Sequence, residues 1–144
     1  MTATTLPTAT TSTGRRTDRL LWTVQILVGL FMIGASAAPK LFGEAYAVQT
    51  FTDIGAGQWF RYAIGVIELA GGIGLLVAPL AGAAAAGLVA LMIGAVVTQV
   101  FVLGTPVNAI SATVIGALMV WVALARRDRT AAFLRGLRGG SHDR

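Results

Sequence analysis

The 144 residues are 56 % hydrophobic and 12 % charged, about half the charged share of a soluble domain, which excludes a single water-surrounded globule. With no Cys and one His, His142 in a polar tail, the chain itself has no thiol, disulfide or iron–sulfur chemistry, and it offers no His-ligated haem or metal site. The net charge of +5 does not indicate nucleic acid, because the basic residues flank an apolar block instead of covering one folded face.

Residues 1–14 are rich in Thr and Ala without periodicity, and they read as the start of a disordered tail covering 1–19. A first apolar segment runs from about Leu20 to Ala38 and is expected to stop at Pro39. Arg15-Arg16 followed by Ala35-Ser36-Ala37 has the form of a secretory signal with its cleavage site. The apolar run is long for that and Pro39 follows at once, so a retained span is the expectation.

The stretch from Lys40 to Gln58 links the first and second segments. Residues 41–53 place Phe42, Tyr46, Gln49 and Asp53 on one helical face, as in a short helix lying at a membrane surface. Gly55-Ala56-Gly57 then breaks it. The second apolar segment runs from about Arg61 to Ala78, the third from about Gly82 to Leu103, and the fourth from near Pro106 to Ala125. Each has roughly 18–22 residues, enough to cross the hydrocarbon layer as a helix. The links Pro79-Leu80-Ala81-Gly82 and Gly104-Thr105-Pro106 are short enough to force antiparallel neighbours. Thr105 is placed to cap the fourth helix, with Pro106 at its first position.

The expected fold is all-α: an integral membrane four-helix bundle spanning 20–125, antiparallel up-down-up-down, with a short interfacial helix between helices 1 and 2 and a basic tail over 126–144. Of the eleven basic residues, Arg15, Arg16 and Arg19 precede the block and Arg126, Arg127, Arg129, Arg135, Arg138 and Arg144 follow it. The positive-inside rule puts both termini in the cytoplasm of a cell (inner) membrane protein, with the Arg-rich tails meeting lipid headgroups.

Between Tyr62 and Ala125 the only charged side chain is Glu68. A carboxyl in a bilayer costs a few kcal/mol and marks a functional position by default. With the topology unfolded, Ser36 and Lys40, Glu68, Thr98 and Gln99, and Asn108, Ser111 and Thr113 all fall in the outer half. The inner half is apolar apart from Thr23 and Gln25. Ile64, Gly65, Gly71 and Gly72 are the helical neighbours of Glu68, so it faces another helix and not lipid. Ala83, Gly87, Ala90, Gly94 and Thr98 form one small-residue stripe, and Ala109, Ala112 and Gly116 another; both read as packing seams. The candidate ligand-binding residues are therefore Glu68, Lys40, Gln99, Thr98 and Asn108. Each has a structural alternative: interhelical hydrogen bonds for Thr98, Gln99 and Asn108, snorkelling for Lys40, and a Lys40–Glu68 pair. If Lys40 stays away, Glu68 is expected to be a neutral hydrogen-bond donor.

Pro39-Lys40-Leu41, Gln58-Trp59-Phe60-Arg61, the run Ile64-Gly65-Val66-Ile67-Glu68-Leu69-Ala70-Gly71, and Ala90 to Ala95 in the third span together resemble the DoxX-like family of small membrane proteins, over about Leu20 to Ala125. The resemblance implies kinship with a subunit of an archaeal thiosulfate:quinone oxidoreductase and with proteins that accompany enzymes of oxidative or thiol stress. Many relatives have a His near the end of the third span where this chain has Thr98-Gln99, a departure that bears on any proton-transfer or metal role there.

Two functions follow as expectations. In the first, the protein is an accessory or anchoring subunit of a membrane redox assembly, with quinone as a candidate ligand and no covalently bound cofactor. Glu68 would hydrogen-bond the headgroup, Lys40 would supply charge at the mouth, and Gln99 and Asn108 would orient the ligand. In the second, it is a small-solute carrier or exporter acting as a homo-oligomer. No nucleophile, metal motif or phosphate loop is present. The sequence therefore leans against an enzyme, leaving only proton transfer by Glu68 as a catalytic reading, and redox catalysis would reside in a partner.

Overall fold

The computed structural model describes residues 12–139. Of the expected disordered tail over 1–19, residues 1–11 lie outside them while 12–19 belong to the first helix, and the end of the basic tail also lies outside. Helix α1 starts at Ser12 (Ser12–Phe31), runs on through a π-helical stretch (Met32–Ala37) and ends in a last α-helical piece (Ala38–Phe42). Helix α2 is Ala45–Ile54 and α3 is Gln58–Leu76. Helix α4 is Ala81–Val97 continued by a second π-helical stretch, Thr98–Val102. A 3₁₀ turn at Pro106–Asn108 leads into α5, Ala109–Gly139. Among the described residues there is no strand, and four helices are long and apolar enough to cross a membrane. Their outward faces carry large apolar side chains such as Ile93 and Leu124, each 61 % exposed, which only a lipid environment tolerates in such number.

Pro39 does not end the first span. It lies within α1, just after the π-helical stretch, where Ala38 N–H already reaches back five residues to Ile33 O. The wider turn absorbs the proline, which has no N–H to contribute. The helix stops instead at Gly43, whose φ of 75° is open to glycine at little cost. Phe42 thus belongs to α1 and not to the surface helix. That helix, α2, turns Ala47 and Phe51 inward, and Phe51 meets Phe60 edge to face at 5.7 Å. Gln49 and Asp53 are joined on its exposed side by a 2.8 Å hydrogen bond. Helix α3 stops at Leu76, ahead of Pro79, because the residues before a proline leave the helical region.

Contacts that run in opposite sequence order along each helix pair establish the antiparallel arrangement. Gln25 in the first half of α1 reaches Leu75 O near the end of α3, and Lys40 near the end of α1 meets Glu68 in the middle of α3. Across the α3–α4 hairpin, a Cβ on Gly71 or Gly74 would touch Leu88 or Ala84. Across α4–α5, Gly116 sits on Met92, and Gly82 sits on Arg126 and Thr130. Leu21, Val28, Met32, Leu75, Leu88, Met92, Met119 and Val122 fill the centre. Since lipid is as apolar as these side chains, close packing and buried hydrogen bonds hold the helices together. The closest approach of backbone to backbone among these glycines is Gly29 against Gly72, where a Cβ on either would lie about 3 Å from the other's carbonyl oxygen.

The small-residue stripe expected on α4 is not a seam. No atom lies within 4 Å of where a Cβ would stand on Gly87 or Gly94, and Ala83 and Ala90 are exposed. Helix α4 packs instead through Ala81, Ala85, Leu88 and Met92. The α5 stripe does pack: Ala109 and Ala112 are buried, and Gly116 meets Met92. Helix α5 also continues well past Ala125, so Arg126, Arg127, Arg129 and Arg135 stand on a helix.

Candidate functional site

Lys40 and Glu68 meet in the half of the bundle away from the arginine clusters. Lys40 Nζ lies 2.9 Å from Glu68 Oε2, with side-chain exposures of 20 % and 6 %. The contact is an ion pair by distance but not a directed hydrogen bond, since Glu68 Oε2 has no hydrogen-bond partner. The same ammonium donates to Ser36 O at 3.0 Å and to Ser36 Oγ at 3.2 Å. The condition attached to a neutral Glu68, a Lys40 that stays away, is not met, because Lys40 reaches it.

Local sequence makes the meeting feasible. Gly65 lies one turn before Glu68, and a Cβ there would stand 3.2 Å from Lys40 Cβ and 3.0 Å from the Leu41 side chain. The missing side chain lets the end of α1 lie against α3. Arg61, one turn further towards the start of α3, donates from Nε to Gln58 Oε1 at 2.7 Å and from Nη1 to the main-chain oxygen of Lys40. Its guanidinium also lies over the Tyr62 ring, 4.2 Å from the centroid. Arg61 is only 4 % exposed, so this end of α1 is held by a buried planar fork that a point charge would not reproduce.

The pair lines a cavity of about 460 Å³, within the size range of small-molecule sites. Its walls are mostly apolar, from Met32, Phe51, Phe60, Ile64, Leu91 and Ile115 among others. All five residues singled out from sequence, Glu68, Lys40, Thr98, Gln99 and Asn108, line this one space, together with Ser36, Glu44 and Ser111. Thr113 does not; it is exposed and its hydroxyl returns to Ala109 O. Gln99 is partly spoken for, since its Oε1 accepts from Thr105 Oγ1 at 2.7 Å and its main-chain oxygen from Thr105 N at 2.8 Å. Thr105 stands at the N-cap position as the sequence suggests, but its side chain caps nothing and instead ties the turn to Gln99. Both π-helical stretches contribute to the cavity wall, through Ser36 and through Thr98 and Gln99. Wide turns of this kind often occur at functional positions.

A family model described as the DoxX-like family matches residues 23–123. The chain belongs to the DoxX-like family. No curated protein and no solved structure matches it. The match covers every wall of the cavity, from Phe31 to Ile115.

This DoxX-like protein has a second polar cluster that sequence reasoning passed over. At the arginine-rich end, Gln25 is fully buried, donates to Leu75 O at 3.0 Å and accepts from Arg126 Nε at 2.9 Å. Arg126, 3 % exposed, also pairs with Asp18 at 2.8 Å and lies 5.4 Å from the Trp22 ring centroid. This clamp ties α1, α3 and α5 together. Arg126 reads from sequence as one of several headgroup contacts, and only the continuation of α5 turns it inward. The sequence signal was Gln25, an amide in an otherwise apolar half. Arg61, which from sequence only marks the start of the second segment, is likewise turned inward. Among the described residues, no group of three or more His, Cys, Asp or Glu is placed to hold a metal ion.

Proposed function

We propose that this DoxX-like membrane protein is an accessory or anchoring subunit of a redox assembly in the cell membrane, and that its cavity takes the headgroup of a small lipophilic molecule, a quinone first among the candidates. The observation that carries the reading is the convergence of a largely buried Lys40–Glu68 pair with the amides and hydroxyls of α4, of the 3₁₀ turn and of the start of α5 in one largely apolar cavity. A carbonyl headgroup needs a donor, which the Lys40 ammonium supplies. A hydroxyl headgroup needs an acceptor, which Glu68 supplies. Gln99 and Asn108 stand on other walls to orient the ring. These residues bind and orient, and the electrons would come from a partner.

The arginines at the start of α1 and the end of α5 share one end of the bundle. By the positive-inside rule that end is cytoplasmic and the cavity lies in the outer half.

The test is gentle solubilisation from native membranes, followed by mass spectrometry of the lipids and proteins that accompany the chain. The reading expects a quinone or similar lipophile, lost or depleted in Glu68→Gln, together with an oxidoreductase partner. Protein that carries neither, and that binds no quinone added in lipid nanodiscs, would refute it.

A further inference from the structure

The cavity does not stay between the helices. Helix α4 packs through Leu88 and Met92, yet the residues it gives to the cavity include Ala90 and Gly94. At about 100° per residue these lie roughly 160° and 120° round the helix from Leu88, and both are exposed. The cavity therefore runs round the edge of α4 onto the face that lies against lipid. Helices α3 and α4 are pinned together near their hairpin, where Gly71 lies against Leu88 and Gly74 against Ala84. Further from the hairpin, Ile64 of α3 and Gly94 of α4 border the cavity instead of closing it. Leu91 lines the inner part of this gap, but at its lipid-side rim, beside Ala90 and Gly94, α4 presents nothing larger than a methyl group, whereas the α1 wall presents the bulkier Phe31.

Building on the headgroup reading above, we propose that the ligand enters from within the bilayer, through the gap between α3 and α4 beside Ala90 and Gly94, and that it is an amphiphile whose apolar chain stays in that gap while its polar head reaches Lys40 and Glu68. The buried and incompletely bonded Glu68 Oε2 gives the head its destination. The open backbone at Gly94 gives the chain room to lie against α4.

The test uses full-length protein in lipid nanodiscs and two probes, a decyl-tailed benzoquinone and the same ring without its tail. Gly94→Leu fills the gap from a position with nothing within 4 Å of its Cβ, so it threatens the fold little. Gly87→Leu, equally open but outside the cavity wall, is the control. The expected result is that Gly94→Leu weakens the tailed probe roughly tenfold, leaves the tail-less ring nearly unchanged, and that Gly87→Leu alters neither. Equal weakening of both probes, or of neither, overturns the proposal. A second measurement does not depend on quinone. The natural chain has no Cys, so Gly94→Cys carrying a fluorophore reports on that position alone. Quenching by phospholipids brominated on their acyl chains supports the lateral opening, even where neither quinone binds and the headgroup reading fails. Quenching by aqueous iodide instead overturns it.

Discussion

Replacing the Lys40–Glu68 pair one residue at a time should cost more than replacing both. At 2.9 Å two unit charges attract by about 6 kcal/mol in an effective dielectric of about 20. Withdrawing each ion from water costs several kcal/mol, so a well-packed apolar pair would be nearly as stable, whereas a single removal strands the other charge at about 3–5 kcal/mol. The two removals should not be equal. Lys40 keeps Ser36 O and Oγ when Glu68 is gone, and its side chain is 20 % exposed, so Glu68→Leu falls at or below the lower end. Among the described residues Glu68 Oε2 has no hydrogen-bond partner to fall back on when Lys40 is gone, and the side chain is only 6 % exposed, so Lys40→Met falls at the upper end as long as the carboxyl stays ionised, the neutral form being its one relief. The double variant should return to within about 1–2 kcal/mol of wild type. Thermal unfolding in nanodiscs measures this, with Lys40→Met lowering the midpoint by about 10 °C or more. A double variant as unstable as the sum of its parts would show that the two charges are not coupled and that the ion pair is incidental.

Three further changes test the frame around the site. Gly72→Ala sets a Cβ 2.9 Å from Gly29 O and 3.1 Å from Met32 Cβ, backbone and core that cannot step aside, and should cost about 1–3 kcal/mol; Gly87→Ala, facing open space, should be neutral or gain up to about 1 kcal/mol, and denaturation in mixed micelles compares the two. Gln25→Leu removes the bonds to Leu75 O and from Arg126 Nε and leaves a buried guanidinium short of acceptors, a loss of about 1–3 kcal/mol by the same assay. Arg61→Lys cannot serve Gln58 Oε1 and Lys40 O from one planar group; the expected result is a loss of about 1–2 kcal/mol with faster hydrogen exchange at residues 38–42, and unchanged exchange there would contradict the holding role of Arg61.

The spans and the antiparallel order are legible in the sequence because both follow from length, apolar content and short links, which are local quantities. The same holds for Glu68 facing a helix, since Gly65 and Gly72 announce a close neighbour. Pro39 misleads because its effect depends on the turn before it; a π-helical stretch is not encoded in composition. The α4 stripe misleads for a different reason. Small residues permit close approach without requiring it, and the partner that would have filled the space beside Gly87 and Gly94 is absent among the described residues. Arg126 and Arg61 were legible as charges but not as buried ones, because their inward turn depends on acceptors distant in sequence: Gln25, Asp18 and the main-chain oxygen of Lys40.

The two ends of the bundle are built to opposite purposes, and the difference bears on how a ligand is held. At the arginine-rich end, a fully buried amide bridges three helices, glycines bring α3 onto α4, and Arg126 draws α1 onto α5. Each of these devices shortens a distance between helices. At the other end α1 closes only onto α3, through Lys40–Glu68, Arg61 and Gly65; elsewhere wide helical turns interrupt α1 and α4, α2 fills the top with Phe51, and the polar groups of α4 and of the turn before α5 line space. A bundle locked at one end can keep an unfilled cavity at the other without collapsing, because the helices cannot pivot inward about a fixed base. Loosening the base should therefore reach the cavity. Gln25→Leu lies fifteen residues before Lys40 on α1, yet it should broaden the range of α1–α4 separations across the cavity as α1 gains freedom, read by distance measurements between spin labels at Ser36→Cys and Thr98→Cys. An unchanged distance distribution would mean that the two ends of the bundle are mechanically independent.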